Sequence, residues 1–123
     1  MISFTNFILT DGIPIYLQII RHIKQGIVAG LVLDGDELPS RRVLSALLGV
    51  NPNTIQKAYK LLEEEGLIQS HSGAKSYMCL TDERIQEIRT ELLENDARNA
   101  VNTLKQMGVT MEEAISLIEK FWN

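Results

Sequence analysis

The spacing of apolar residues changes twice along the chain, predicting helices first, then a β-hairpin, then helices again. From Ile15 to Gly30, apolar residues recur every three or four positions, which indicates an amphipathic helix. Pro14 suits the first turn of this helix, and Gly30 can end it in a left-handed conformation. The link 31–39 holds an Asp-Gly turn signal and a proline, so we expect no helix there.

Two shorter helices are predicted next, separated by a turn that contains glycine. Ser40 can cap a helix over 41–48, and Gly49 can end it. Its predicted buried side consists of Leu44, Leu47 and Leu48.

The second of these helices begins with an uncharged polar turn. Asn51 is a good N-cap, Pro52 suits the first helical position, and Gly66 closes the helix. Its apolar stripe consists of Ile55, Ala58, Tyr59 and Leu62. Two helices joined by such a short turn match the helix-turn-helix arrangement.

Two short strands are predicted after the helix-turn-helix, over Leu67–Ser70 and Ser76–Leu80. The residues between them suit a hairpin tip. In the second strand, Met78 and Leu80 point to one side, and Tyr77 and Cys79 to the other. A helix-turn-helix followed directly by a hairpin predicts a winged helix.

The last third of the chain predicts two further helices. Thr81 can cap a helix that continues to Gly108, and Thr110 with Glu113 forms a capping box for a final helix. The predicted fold is therefore mainly α with a small β-hairpin. We assign residues 1–80 to a winged-helix domain and residues 81–123 to a two-helix tail.

Composition narrows the class of protein. A chain of 123 residues, 45% of them hydrophobic, has room for one compact domain and a helical appendage. Its short, interrupted apolar runs and its N-terminus fit neither a membrane span nor a signal peptide, so we expect a cytoplasmic protein. Cys79 alone can form no internal disulfide, and we expect it to be a small buried residue in a strand. His22 and His71 are too few for a metal site.

We predict no cofactor and no enzymatic activity. The chain has no phosphate-binding glycine loop, no cluster of metal ligands, and no spaced pair of nucleophile and base.

The charge distribution separates the two parts of the chain. The net charge is −4, which by itself argues against nucleic-acid binding. Residues 1–80, however, hold seven Lys/Arg against seven Asp/Glu, whereas residues 81–123 hold five against nine. The whole excess of negative charge lies in the tail, so we expect the two parts to have different roles.

Three segments resemble the N-terminal domain of the GntR family of bacterial transcription regulators. They read "GIPIYLQI", "LPSRRVLSALLGVNPNTIQKAYKLLEEEGLI" and "SGAKSYM", and they lie within residues 10–80. The short helical tail is similar to the YtrA-like subgroup. The resemblance implies a winged helix that binds operator DNA as a homodimer, with a recognition helix at about 52–65 and a wing at about 67–80.

The resemblance also implies which residues contact DNA. The arginine of the family's Leu-Pro-Ser-x-Arg motif falls on Arg42, and the wing-tip contacts fall on Ser72 and Gly73. The contacts of the recognition helix fall on Asn51, Pro52, Asn53, Thr54 and Gln56. The wing departs from the family's Arg-x-Gly-x-Gly pattern, since Lys75 takes the place of the second glycine. It is therefore expected to reach the minor groove differently or to contact only phosphate.

The chemistry of these side chains agrees with base recognition. Asn and Gln can bond to adenine through two hydrogen bonds, and Thr can contact thymine. Cations around the helix can bind phosphates, and these are Arg41, Lys57, Lys60 and Lys75. Each assignment has a structural alternative. Asn51 can be a cap, a contact or both, Pro52 can simply start the helix, and Tyr59 lies on the apolar stripe.

For the tail, the alternatives are packing onto the winged domain or dimerisation. Apolar residues at the extreme C-terminus would remain exposed in a monomer, and a two-fold interface would bury them. The predicted dimerisation residues are Leu92, Leu93, Ala100, Leu104, Ile115, Ile118, Phe121 and Trp122.

The leading hypothesis is a dimeric DNA-binding regulator, more specifically a repressor. The resemblance implies that it controls a neighbouring operon, often one for transport functions. The alternative is a winged-helix protein-interaction module with weak DNA binding or none. The sequence identifies no operator, regulated gene or small-molecule effector, and it does not separate a repressor from an activator.

Overall fold

The computed structural model of the chain describes residues 1–71 and 75–123, and helices predominate in it. These residues form two compact units, Met1–Ile88 and Arg89–Asn123. In chain order the elements are α1 (Ile15–Val28), β1 (Glu37–Leu38), α2 (Arg41–Leu48), α3 (Pro52–Glu64), β2 (Ile68–His71), β3 (Lys75–Met78), α4 (Asp82–Gln106) and α5 (Met111–Trp122). Within the described ranges no helix is long and apolar enough to cross a membrane. The mainly helical fold with a small β-element is confirmed.

Helix α1 supplies one wall of the core of the first unit. Ile19, Ile23 and Ile27 stand four residues apart on one face and are buried. The residues after the helix fold back over it, because the N–H of Val32 donates to the Gly26 carbonyl at 3.0 Å. A Cβ added at Gly26 would lie 2.6 Å from Cγ2 of Val32. The absence of a side chain at Gly26 therefore lets the link pack onto α1.

Helices α2 and α3 form the predicted helix-turn-helix. The whole predicted stripe of α3 is buried, and it comprises Ile55, Ala58, Tyr59 and Leu62. The prediction for α2 was partly wrong. Leu44 is buried and Leu48 is half-buried, but Leu47 is 64% exposed. At 3.6 residues per turn, Leu48 lies about 40° from Leu44 around the helix and Leu47 about 60° away on the other side. This short helix buries only the narrow face shared by Leu44 and Leu48.

The sheet has a third strand that the sequence did not predict. Strand β1 pairs with β3 in antiparallel fashion, with Glu37 opposite Tyr77 and Leu38 opposite Ser76, and the strand order is β1-β3-β2. A strand of two residues that ends at Pro39 has no periodicity to detect. It forms because β3 offers a free edge, so its existence depends on tertiary pairing.

Strands β2 and β3 form the predicted hairpin with slightly different bounds. Ile68 lies opposite Met78 and His71 opposite Lys75. Met78 and Leu80 are buried, as the alternating pattern predicted. Cys79 differs from the expectation, because it lies just beyond β3 and is only half-buried.

The N-terminal segment belongs to the core, although its sequence predicted no element. Ile2 and Phe4 are buried, and the N–H of Ile2 donates to the Glu37 carbonyl at 3.0 Å. The ring of His22 lies 4.6 Å from that of Phe4, and its Nε2 is 2.8 Å from the Ser3 carbonyl oxygen. His22 therefore has a structural role in holding the N-terminus against α1.

Helix α4 begins in the first unit and continues into the second. Oγ1 of Thr81 accepts the N–H of Arg84 at 3.1 Å, and Ile88 is buried in the core. In the second unit, Thr110 Oγ1 accepts the N–H of Glu113 at 3.2 Å, which confirms Thr110 as the cap of α5. Helix α5 has no buried residue. An apolar groove of about 380 Å³ lies in this unit, lined by residues that include Ala97, Val101, Leu104, Met111, Ala114 and Ile118.

Candidate nucleic-acid interface

The turn between α2 and α3 is fixed by local hydrogen bonds. Gly49 has a φ of +68°, a left-handed conformation that glycine adopts without strain, and its N–H donates to the Ser45 carbonyl at 2.9 Å. The Ser45 side chain is buried and donates from Oγ to the Val50 carbonyl. The sequence pattern did not predict this role of Ser45. The rigid turn sets the direction in which α3 leaves α2.

The first turn of α3 combines a cap with exposed amides. Oδ1 of Asn51 accepts the N–H of Asn53 at 2.8 Å, so Asn51 is a cap. Pro52 occupies the first helical position. Asn51, Pro52, Asn53 and Gln56 are exposed, and Thr54 is half-buried. The predicted contact residues thus share one polar, accessible helix end, whose partial positive charge also favours an anion.

The two arginines at the start of α2 have different environments. Arg42 is exposed, whereas Arg41 is half-buried with its Cζ 5.9 Å from the centre of the Tyr59 ring. The Nε of Arg41 is buried, and among the described residues it has no hydrogen-bond partner. Arg42 is therefore freer than Arg41 to approach a nucleic acid.

Tyr59 is part of the core and is not a base-stacking residue. It is 1% exposed, and its hydroxyl donates to the Pro39 carbonyl at 2.7 Å. Burial raises the pKa of the Tyr59 phenol well above its usual range, and the nearby Arg41 guanidinium partly opposes that shift. The hydrogen bond of the neutral phenol links α3 to Pro39, the residue before the cap of α2, and so helps to fix the position of α3 relative to α2.

Two lysines of α3 face solvent in different surroundings. Nζ of Lys57 lies 4.0 Å from the centre of the Tyr16 ring, which belongs to the first turn of α1. Lys60 is exposed, and it contacts no ring in the described part of the chain. Lys75, at the start of β3, is also exposed. The predicted wing-tip residues Ser72 and Gly73 lie outside the described residues.

The glutamates that end α3 are exposed as predicted, but one of them forms ion pairs. Oε1 of Glu65 is 3.0 Å from Nζ of Lys24 and 3.7 Å from Nη2 of Arg84. This carboxylate therefore connects α1, the end of α3 and the start of α4. The partners are 41 and 19 positions from Glu65, so the sequence pattern gave no signal of these contacts.

Residues 15–77, half of the chain, match bacterial regulatory proteins of the gntR family. The chain belongs to the GntR family. It is 34% identical to the uncharacterized HTH-type transcriptional regulator YhcF of Bacillus subtilis over 88% of this chain and 89% of YhcF. It is 36% identical to the HTH-type transcriptional repressor YtrA of the same bacterium, over 87% of this chain and 78% of YtrA. A GntR family transcriptional regulator from Listeria monocytogenes has a similar structure, with a TM-score of 0.80 and 34% sequence identity. The match covers 91% of this chain and 98% of the Listeria chain.

These similarities confirm the YtrA-like resemblance and the winged-helix fold. This GntR-family protein is a transcription regulator with a DNA-binding winged helix, and the family consists of regulators, which are not enzymes. The matched range 15–77 includes every residue predicted to contact DNA. The alignment with YhcF covers 108 residues, more than the first 80, so the similarity extends into the tail.

Proposed function

We propose that this GntR-family protein is a homodimeric repressor that binds a two-fold symmetric operator. It controls a neighbouring operon, whose expected products have transport functions. One observation carries the proposal. The first turn of α3 is capped and exposed, carries the amides of Asn51, Asn53 and Gln56, and follows a rigid turn after the helix that bears Arg42. Such a helix end suits the major groove, where the N-terminal residues of a recognition helix meet base edges.

The amides and the hydroxyl of this turn supply base discrimination. Asn53 and Gln56 are exposed, and each can give two hydrogen bonds to an adenine edge. Thr54 is half-buried and suits contact with a thymine methyl group or a nearby phosphate. Asn51 already uses Oδ1 as a cap, so its amide N–H groups are what it can offer to DNA. Pro52 has no N–H and contributes apolar contact only.

Cations around the turn are proposed to hold the DNA backbone. Arg42 is positioned for a base edge or a phosphate, and the remaining cations are Arg41, Lys57, Lys60 and Lys75. The wing residues Ser72 and Gly73 complete the proposed set. Five cations in one protomer support only moderate affinity for one half-site, which favours two protomers on two half-sites.

The tail, residues 81–123, is proposed to form the dimer. Exposed apolar side chains support this proposal, since Ile118 is 52% exposed, Phe121 74% and Trp122 79%. Water-exposed aromatic and aliphatic groups of this kind mark interaction surfaces. The complete set of proposed interface residues is Leu92, Leu93, Ala100, Leu104, Ile115, Ile118, Phe121 and Trp122, of which Leu92 and Leu104 are half-buried and the others exposed.

Repression is supported by similarity to a protein of that activity. The relative YtrA is named a transcriptional repressor and is 36% identical over most of both chains. A dimer bound across a promoter excludes RNA polymerase, and this form of repression requires no ligand-binding domain. We therefore propose that binding to the operator lowers transcription.

Selection of bound DNA tests the proposed function. Full-length protein is incubated with a random-sequence duplex library and, separately, with fragments of the source genome. We expect an enriched palindrome with half-sites about one helical turn, or a multiple of it, apart. The selected duplex is expected to bind about a thousandfold or more tighter than a shuffled duplex at the same salt concentration. Equal affinity for both duplexes would contradict sequence-specific regulation, and unchanged transcription of the selected promoter in vitro would contradict repression.

A further inference from the structure

Lys57 and Tyr16 form a contact between α3 and α1 at the edge of the core. Lys57 is an exposed residue of α3, one turn beyond the first polar turn, and Tyr16 is a half-buried residue of α1. The ammonium nitrogen lies 4.0 Å from the centre of the ring, well inside the roughly 6 Å range of a cation–π interaction. Tyr16 thus links the surface of the recognition helix to the core it packs against.

The contact of Lys57 with Tyr16 is closer than any ring contact of the other described cations around the first turns of α2 and α3. Arg41 also lies near a tyrosine ring, but its Cζ is 5.9 Å from the centre of the Tyr59 ring. Tyr59 is a buried core residue, so its position does not depend on Arg41. Lys60 is exposed on the same helix and, within the described ranges, has no ring beside it. Lys57 is therefore the lysine of α3 whose position is restricted before any ligand binds.

A lysine side chain whose conformations are already restricted binds a phosphate with a smaller loss of conformational entropy. A free lysine side chain has several rotatable bonds, and ordering it on DNA costs conformational entropy. A ring that already holds the ammonium group removes part of that cost. The ammonium group has three N–H donors, so a ring against one side leaves donors for a phosphate oxygen on another.

We propose that Tyr16 is a positioning residue that holds the Lys57 ammonium group ready for a backbone phosphate of bound DNA. This inference rests on the proposed function, in which Lys57 contacts phosphate. The ammonium group stays on the ring in the complex, so loss of the ring weakens binding. If Lys57 had to leave the ring to reach DNA, loss of the ring would instead tighten binding, and the sign of the effect separates the two cases.

A double-mutant cycle in the full-length protein tests the proposal. The variants are Tyr16→Leu, Lys57→Ala and their combination, with Tyr16→Phe keeping the ring and Lys60→Ala as a matched lysine on the same helix. The probes are the duplex selected by the wild-type protein and a random-sequence duplex, each labelled, with Kd measured at several salt concentrations. Both probes are needed because a phosphate contact does not depend on base sequence.

We expect Tyr16→Leu to weaken binding about two- to fivefold for each half-site, because a cation–π contact at an exposed site is of that strength. Tyr16→Phe should keep wild-type affinity. In the Lys57→Ala background, Tyr16→Leu should have no further effect on Kd, whereas in the Lys60→Ala background its full effect should remain. Lys57→Ala should also lower the slope of log K against log salt by about one per protomer.

A merely structural role for Tyr16 gives a different result. Destabilisation of α1 would weaken DNA binding equally with and without Lys57, and thermal unfolding of each variant measures that contribution separately. Equal effects in both backgrounds, tighter binding by Tyr16→Leu, or a loss with Tyr16→Phe as large as with Tyr16→Leu would each overturn the proposal. An unchanged salt slope in Lys57→Ala would overturn it as well.

The proposed function can fail independently. If the wild-type protein binds the selected and random duplexes equally, sequence-specific regulation is wrong, but the cycle on the random duplex still measures the coupling between Tyr16 and Lys57. If selection yields a palindrome and Lys57→Ala changes neither Kd nor salt slope, sequence-specific regulation stands, whereas the phosphate contact of Lys57 and the inference about Tyr16 are both wrong.

Discussion

At the scale of single residues, the first turn of α3 serves folding and is proposed to serve recognition as well. Asn51 caps the helix by accepting the backbone N–H of Asn53 at Oδ1, while the side chains of Asn53 and Gln56 are exposed and form no cap bond. Arg42 is exposed one helix earlier, next to the half-buried Arg41. The cap and the proposed DNA contacts therefore use different atoms of neighbouring residues, so substitutions can test stability and DNA affinity separately.

Arg42→Ala should weaken binding to the selected duplex without changing stability. An arginine that contacts a guanine or a phosphate contributes about 1–3 kcal/mol, or roughly 5- to 150-fold in Kd. Fluorescence anisotropy with the labelled duplex measures the change. Arg98→Ala is the control, since Arg98 is an exposed arginine of α4 whose side chain bonds to Asn95. An unchanged Kd for Arg42→Ala would remove Arg42 from the interface.

Two substitutions of Asn51 distinguish its cap from its DNA contact. Asn51→Ala removes both and should lower the free energy of unfolding by about 1 kcal/mol. Asn51→Ser keeps a cap oxygen and loses the amide N–H groups, so it should keep stability while weakening DNA binding if those groups touch a base. Urea unfolding and duplex binding are measured on both variants. Wild-type affinity of Asn51→Ser would show that Asn51 is a cap only.

At the scale of elements, periodicity predicted helices well and short strands poorly. The bounds of α2 agree with those predicted, and the α3 stripe is buried, because helical spacing and caps are local properties. Strand β1 was missed because two residues carry no period and pair only when β3 is present. The assignment of Leu47 to the core was wrong, since which part of an apolar face is covered depends on the neighbouring element.

Two leucines of α2 give a matched test of that difference. Leu44 is fully buried and Leu47 is 64% exposed on the same helix. Leu44→Ala should lower the free energy of unfolding by about 2–5 kcal/mol, because it removes buried methyl groups and leaves a cavity. Leu47→Ala should change it by less than about 0.5 kcal/mol. Chemical denaturation of the two variants provides the comparison, and similar losses would mean that Leu47 is covered in solution.

At the scale of the whole molecule, the two units differ in how they use their apolar residues. The first unit buries a continuous core, including the unpredicted Ile2 and Phe4, whereas α5 in the second unit has no fully buried residue. Exposed apolar side chains on one helix are typical of interaction surfaces. The proposed partner is a second copy of the chain, whose two-fold symmetry the operator would share.

Substitutions in α5 test the dimer. Ile118→Asp and Trp122→Ala should each shift the protein toward the monomer, with a loss of roughly 2 kcal/mol or more if the residue lies at the centre of the interface. Sedimentation equilibrium measures the mass, and circular dichroism checks that the helices remain. Leu31→Ala, which changes an 80% exposed leucine of the first unit, is the control. A monomeric wild-type protein would contradict the proposal outright.

The sequence by itself determined the helices, their caps and the hairpin that follows α3, because these depend on residues within a few positions of one another. It also determined the family, through motifs that keep their spacing from Leu38 to Ile68. The tertiary structure decided which apolar residues are covered, the third strand, the Glu65 ion pairs and the contact of Lys57 with Tyr16. Each of these joins elements distant in sequence, and their relative placement has no local signature.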